Sequence, residues 1–267
     1  MSQTAGVFGK LPVLGDFVHR GFSNQLINVL DQLVKTALQA AISKGANKHS
    51  LEQSSHTCMI YIRPGSVTQS GYVGCMIPSC DKVGRFYPIF AGYELTWDDQ
   101  SPNGSTGSWV SIELAVELCR VVFRAQSLGL APDDLVSQLP AASSWMNRLS
   151  ESPLFFEDMD TTLPVAVQNT LSVAFVGPES KMDRLDRALC SRLSEIVPIF
   201  GSVLTETTHF DYFFALCHLD ECNKLAALFD GQWSQWGWNM HPVESADNPD
   251  EDCTLLPPLS DDSETLY

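Results

Sequence analysis

The chain has 267 residues, with 16 Lys and Arg against 32 Asp and Glu and a formal charge of −16. That length accommodates one large domain or two small ones, and a hydrophobic content of 44% supplies a buried core and excludes a wholly disordered protein. The acidity excludes a broad basic footprint of the kind that nucleic acid or an anionic membrane requires. It is also uneven. Lys224 is the last basic residue, so residues 1–224 carry −7 and the final 43 residues carry −9.

The opening MSQTAGVFGKLP lacks the basic start and long apolar run of a signal peptide, and no stretch approaches ~20 continuous apolar residues. A cytoplasmic protein without membrane insertion is therefore expected. Residues 6–11 read as a first strand and 12–22 as a loop with turn points at Gly15 and Gly21. Ser23 is placed to cap a helix over 24–42, whose Leu26, Ile27, Leu30, Leu33, Val34, Ala37, Leu38 and Ala41 form one apolar stripe. Gly45 stops it. Strands follow at 58–63, 72–77 and 86–95, then a polar loop at 98–107. A helix is predicted over 108–128, with Ile112, Ala115, Val116, Cys119, Val122 and Phe123 inward. A second helical region spans 132–150, opened by Pro132 and interrupted at Pro140, and a loop follows to 168.

The remaining pattern gives a strand at 170–176, a helix at 180–196, strands near 199–205 and 210–217, and a short helix over 220–229. Short turns between neighbouring strands imply an α/β fold with a mostly antiparallel central sheet covered by helices. Residues 1–242 read as one domain, and 243–267 as an acidic, flexible tail.

Recognisable chemistry is sparse. There is no P-loop, no GxGxxG after a strand, no GxSxG elbow and no HExxH. Eight cysteines lie mostly in apolar runs and read as reduced, buried thiols. The pairs Cys75/Cys80 and Cys217/Cys222 have the wrong setting for zinc, and neighbouring acids such as Asp98-Asp99, Asp133-Asp134 and Glu157-Asp158 read as solvated charges. No catalytic residue, cofactor or metal site is expected.

Two segments stand out. GVFGKLPVLGDFVHRG sets Lys10, Asp16 and Arg20 among glycines and apolar residues. GCMIPSCDKVGRFYP joins two strands and places Ser79, Asp81, Lys82 and Arg85 in a tight turn. An Asp–Arg pair in such a turn serves either as architecture, capping turn amides, or as a binding surface. Both readings stay open, with architecture favoured because each segment punctuates strands. Trp233, Trp236 and Trp238 similarly read as rings that pin the C-terminal segment to the core, with an exposed anchor as the alternative.

The first segment, followed at once by an amphipathic helix, resembles the opening of the TagF (ImpM) family that accompanies bacterial type VI secretion systems. The second resembles its MPSxDxVGRxFP turn. The resemblance is strong over residues 6–95 and broad beyond. It implies a longin-like, three-layer α/β sandwich. It also implies a non-enzymatic cytoplasmic regulator that acts post-translationally, as a repressor, by sequestering a forkhead-associated (FHA) domain scaffold protein. The alternatives are an adaptor that helps build the secretion apparatus and, third, a hydrolase using the Asp81/Arg85 or Asp16/His19/Arg20 loops.

Overall fold

The structure is a computed structural model and describes residues 2–96, 112–141, 172–176, 197–204 and 210–242. Nine strands form one sheet: β1 (Ser2–Lys10), β2 (Phe17–Arg20), β3 (Thr57–Ile62), β4 (Ser70–Ile77), β5 (Ile89–Thr96), β6 (Val173–Val176), β7 (Ile199–Leu204), β8 (Phe210–Leu216) and β9 (Asn239–Pro242). Their order is β2-β1-β5-β4-β3-β7-β8-β6-β9. Every pairing is antiparallel except the parallel β6–β9 contact.

The helices are α1 (Asn24–Ser43), α2 (Lys48–Ser54), α3 (Ile112–Leu128), α4 (Pro132–Ser137) and α5 (Ala227–Asp230), with 3-10 turns at Leu219–Ala226 and Trp233–Trp236. The period of two along each strand divides its side chains between two cores. Cys58, Ile60 and Ile62 of β3 point to the layer containing α1, while Met59 and Tyr61 point to the layer containing α3. Because helices cover both faces, β4 is buried along its whole length. This is the three-layer, mostly antiparallel α/β architecture expected from the sequence.

Local chemistry explains the helix boundaries. Ser23 begins α1 with extended backbone, and its Oγ accepts the N–H of Leu26 at 3.2 Å. Leu26, Leu30, Val34, Ala37 and Ala41 are buried against the sheet, five members of the predicted stripe. At the other end Gly45 takes a φ of +100°, and its N–H returns to the Ile42 carbonyl. An unforeseen partner secures the start of α1. The buried Glu94 of β5 accepts the Ser23 N–H at 2.7 Å and the Ser23 hydroxyl at 2.6 Å.

Several expectations need correction. Residues 17–20, read as loop, form β2 against β1, with Phe8 opposite His19. Only Val18 of that strand is buried, so no long apolar alternation marked it. Helix α2 was not foreseen; its start depends on a reciprocal Asn47–Ser50 cap. The predicted 86–95 strand begins only at Ile89, because Phe86 makes an isolated bridge to Cys80 before the chain enters β5. Phe123, expected inward on α3, is 48% exposed; Leu114, Leu118 and Ala125 take the inner face with Ala115, Cys119 and Val122. The predicted 220–229 helix is a 3-10 stretch passing into α5. The loops at 98–107 and 151–168, the 180–196 helix and the 243–267 tail lie outside the described residues.

A row of glycines crosses the sheet beneath α1. Gly6 of β1 faces Gly92 of β5, which faces Gly74 of β4; beyond Ile60 of β3 comes Gly201 of β7. Aromatic rings occupy the missing side-chain space. A Cβ on Gly6 would lie 2.5 Å from the Phe22 ring, one on Gly74 would lie 2.4 Å from Tyr72 Oη, and one on Gly201 would lie 2.7 Å from the Phe214 ring. Tyr72 spans the row and donates its hydroxyl to the carbonyls of Cys75 and Ala91.

The three tryptophans are buried, as the favoured reading expected. Trp233 stacks on Tyr212 with centroids 5.1 Å apart, Trp236 donates to Asp230 Oδ2 at 2.7 Å, and Trp238 donates to the Lys224 carbonyl at 2.9 Å.

Candidate functional site

The strand register brings the two sequence segments together. Gly9 of β1 lies opposite Ile89 of β5, so the loop leaving β1 and the turn entering β5 emerge side by side. Gly9 permits this approach with φ +136°; a Cβ there would sit 2.2 Å from the Pro88 carbonyl oxygen. Backbone bonds then tie the loops. The Lys82 N–H donates to the Leu14 carbonyl at 2.8 Å, and the Gly84 N–H closes the turn on the Asp81 carbonyl at 2.8 Å.

Asp81 is the centre of the arrangement, with a fully buried side chain. Its Oδ1 accepts the N–H groups of Val83 (3.1 Å) and Arg85 (2.9 Å), the capping pattern of an Asx turn. Its Oδ2 meets the Lys10 ammonium at 3.1 Å and Arg85 Nε at 2.6 Å. Burial alone would push this carboxyl up. The Arg85 N–H, the hydrogen bonds from Lys10 and Arg85, and the Lys10 charge outweigh burial and hold it well below the usual carboxylate range.

The surrounding groups extend the lattice. Lys10 also donates to the Arg85 carbonyl at 3.3 Å and stands 5.1 Å from the Phe17 ring centroid. Arg85 Nη2 reaches across to the Gly15 carbonyl at 2.8 Å. Ser79 is buried, donates to the Lys10 carbonyl at 2.8 Å and accepts from Gln126 of α3 at 3.1 Å. Lys10, Ser79, Asp81 and Arg85 therefore form one interlocked polar cluster.

The other candidate residues sit apart. Exposed Asp16 accepts the N–H of Phe17 at 2.8 Å. Arg20 lies on β2 and pairs with Asp133 of α4 at 2.8 Å, both side chains largely exposed. The Lys82 side chain is exposed. Gln126 and Glu94 were missed by sequence reasoning. Glu94 is a charged residue in an otherwise apolar strand and Gln126 one of several polar residues late in α3, and the partner of each is distant in sequence.

The groups of this cluster are already engaged with one another. The Ser79 hydroxyl is buried with a donor and an acceptor already in place, and Asp81 has four partners. Among the described residues no three metal-ligating side chains converge. An apolar cavity of about 20 Å³ lies between α1 and the sheet, bordered by Leu30, Val34, Ile60, Met76 and Phe90. That is space for about one water, and its lining supplies no polar partner for one.

The cysteines follow burial. Cys58, Cys75 and Cys119 are buried, and Cys80, Cys217 and Cys222 are half-buried; all six are free thiols. Burial pushes the Cys58 and Cys75 thiols far up, and Cys217 and Cys222 to about 11. Near Cys217 a second polar tie is present. Ser172 donates to Glu221 at 2.5 Å, and Glu221 pairs with Lys224 at 2.7 Å.

The molecule is thus an antiparallel α/β sandwich in which two long motif loops lock together at one end of the sheet. Residues 6–120 match the TagF N-terminal domain, described as type VI secretion system-associated. The fold also matches the crystal structure of PA0076 from Pseudomonas aeruginosa PAO1, with a TM-score of 0.51 and 18% sequence identity, covering 85% of this chain and 94% of that one. No curated protein matches the chain significantly. No helix among the described residues is long and apolar enough to cross a membrane.

Proposed function

We propose that the protein is a non-enzymatic, cytoplasmic accessory regulator of a bacterial type VI secretion system. It acts post-translationally as a repressor by binding an FHA-domain scaffold protein. The observation that carries this reading is the coincidence of the secretion-associated family match with the two motif loops, which the β1–β5 register sets side by side. The polar atoms of Lys10, Ser79 and Asp81 are buried and already engaged, which favours a rigid recognition surface over a reacting centre. Residues 1–242 act as one regulatory domain, and the acidic 243–267 segment follows it.

Deleting the gene should raise secretion of the system's tube protein, and the purified protein should capture the FHA-domain scaffold. Lowered secretion would indicate an assembly adaptor instead. Unchanged secretion together with no capture of the scaffold would refute the proposal.

A further inference from the structure

The end of the sheet where the two loops meet gathers most of the bulky apolar side chains left in solvent. Seven such residues are exposed among those described, and four belong here. Val83, 70% exposed, tips the turn between β4 and β5. Val13 and Phe17, 37% and 41% exposed, flank the loop after β1. Leu128, 62% exposed, ends α3 and precedes Gly129, where a Cβ would lie 3.1 Å from Val13. Scattered exposed apolar residues are ordinary, but a concentration on one rigid edge marks a contact surface.

The charge of this face is opposite to that of the chain. Lys10 and Arg85 share the single Asp81 carboxylate, and with Lys82 set against the exposed Asp16 the two loops keep one net positive charge. Among the described residues Arg85 Nη1 and Lys82 Nζ make no hydrogen bond or ion pair, whereas the neighbouring Lys48 ammonium, near Gly84, is paired with Glu52 at 3.6 Å. On a chain of formal charge −16, this edge with its net positive charge is suited to an acidic segment. Such contrast selects orientation during encounter.

We infer that this face docks an acidic segment of the partner protein, with carboxylates on Lys82 and the free edge of Arg85 and an apolar side chain against Val83, Val13 and Phe17. The inference rests on the proposed reading of the protein as a partner-binding regulator and names the surface and chemistry that reading requires. The loops are already braced by Asp81, so little ordering cost attends binding.

The test uses the full-length protein and the purified FHA-domain scaffold of the same secretion system. The double variant Lys82→Glu, Val83→Asp should bind at least about tenfold more weakly, because it removes the exposed Val83 anchor and reverses the charge of Lys82. Its Tm should stay within about 2 °C of wild type, since both side chains are exposed. Ile42→Asp, at an exposed site on α1, should bind as wild type does. Raising NaCl from about 50 to about 500 mM should weaken the wild-type complex more than that of the double variant. A photo-crosslinker at position 83 should capture an acidic stretch of the scaffold; capture of a basic or neutral stretch would overturn the inference. Full binding by the double variant, with wild type binding normally, would refute this face alone. Absence of wild-type binding would refute the proposed function and the inference with it.

Discussion

Lys10→Met tests whether the buried ion cluster holds the two loops together. Lys10 is 7% exposed, and its ammonium lies 3.1 Å from Asp81 Oδ2 and 3.3 Å from the Arg85 carbonyl. Methionine keeps most of the stem and its packing but removes the charge and both bonds. A hydrogen bond to a charged group contributes roughly 1.5–3 kcal/mol, and one to a neutral carbonyl about 1 kcal/mol. Relief from burying an ammonium returns part of that, and Asp81 keeps Arg85 and two N–H donors, so it is not orphaned. The expected net loss is about 2 kcal/mol, or about 4–8 °C in Tm for a protein of this size. Calorimetry at pH 7 reads it. The loss should persist in about 0.5 M NaCl, unlike any effect of breaking the exposed Arg20–Asp133 pair. A Tm shift below about 1 °C would show that the cluster does not brace the loops.

Two further predictions concern pH and the glycine row. Asp81 has a carboxyl depressed below its ordinary value of 3.8, so its contribution is complete above that value and is lost progressively as pH falls below it, through the depressed folded-state value. Asp81→Asn should be less stable than wild type at pH 7 and lose less stability between about pH 5 and pH 2 in urea titrations; parallel pH profiles would contradict the assignment. Gly74→Ala would put a methyl 2.4 Å from the Ala91 carbonyl oxygen of the neighbouring strand and should cost about 3 kcal/mol by urea unfolding. Gly15→Ala, with nothing within 4 Å, should be near neutral, and equal effects at the two sites would refute the steric argument.

The sequence displayed those features whose signal is local. The α1 stripe, its Ser23 cap and its Gly45 stop are each written within a few residues, and the structure follows them. β2 was invisible because four residues with one buried position carry no period. The outward turn of Phe123 reflects a small rotation of α3 about its axis: Leu118 and Ala125, not Phe123, meet the sheet. In the candidate site, Asp81 and Arg85 were legible as a pair because four residues separate them. Lys10 as their partner was not, because the contact crosses 71 positions and depends on β1 lying beside β5. The same holds for Glu94, which reads as a charge in a strand and acts as a second cap for α1.

The glycine row has a kinetic consequence. Its members come from β1, β5, β4 and β7, so the flat bed under α1 exists only after strands far apart in the chain have paired. Until then Tyr72, Phe22 and Phe214 have no trough to lie in, and a slipped strand would set a side chain beneath a ring. The aromatic layer thus reports register, accepting only the correct assembly. Such late, non-local proofreading belongs to slow-folding topologies. Tyr72, in β4, should gain its burial in the final cooperative step, together with the docking of α1.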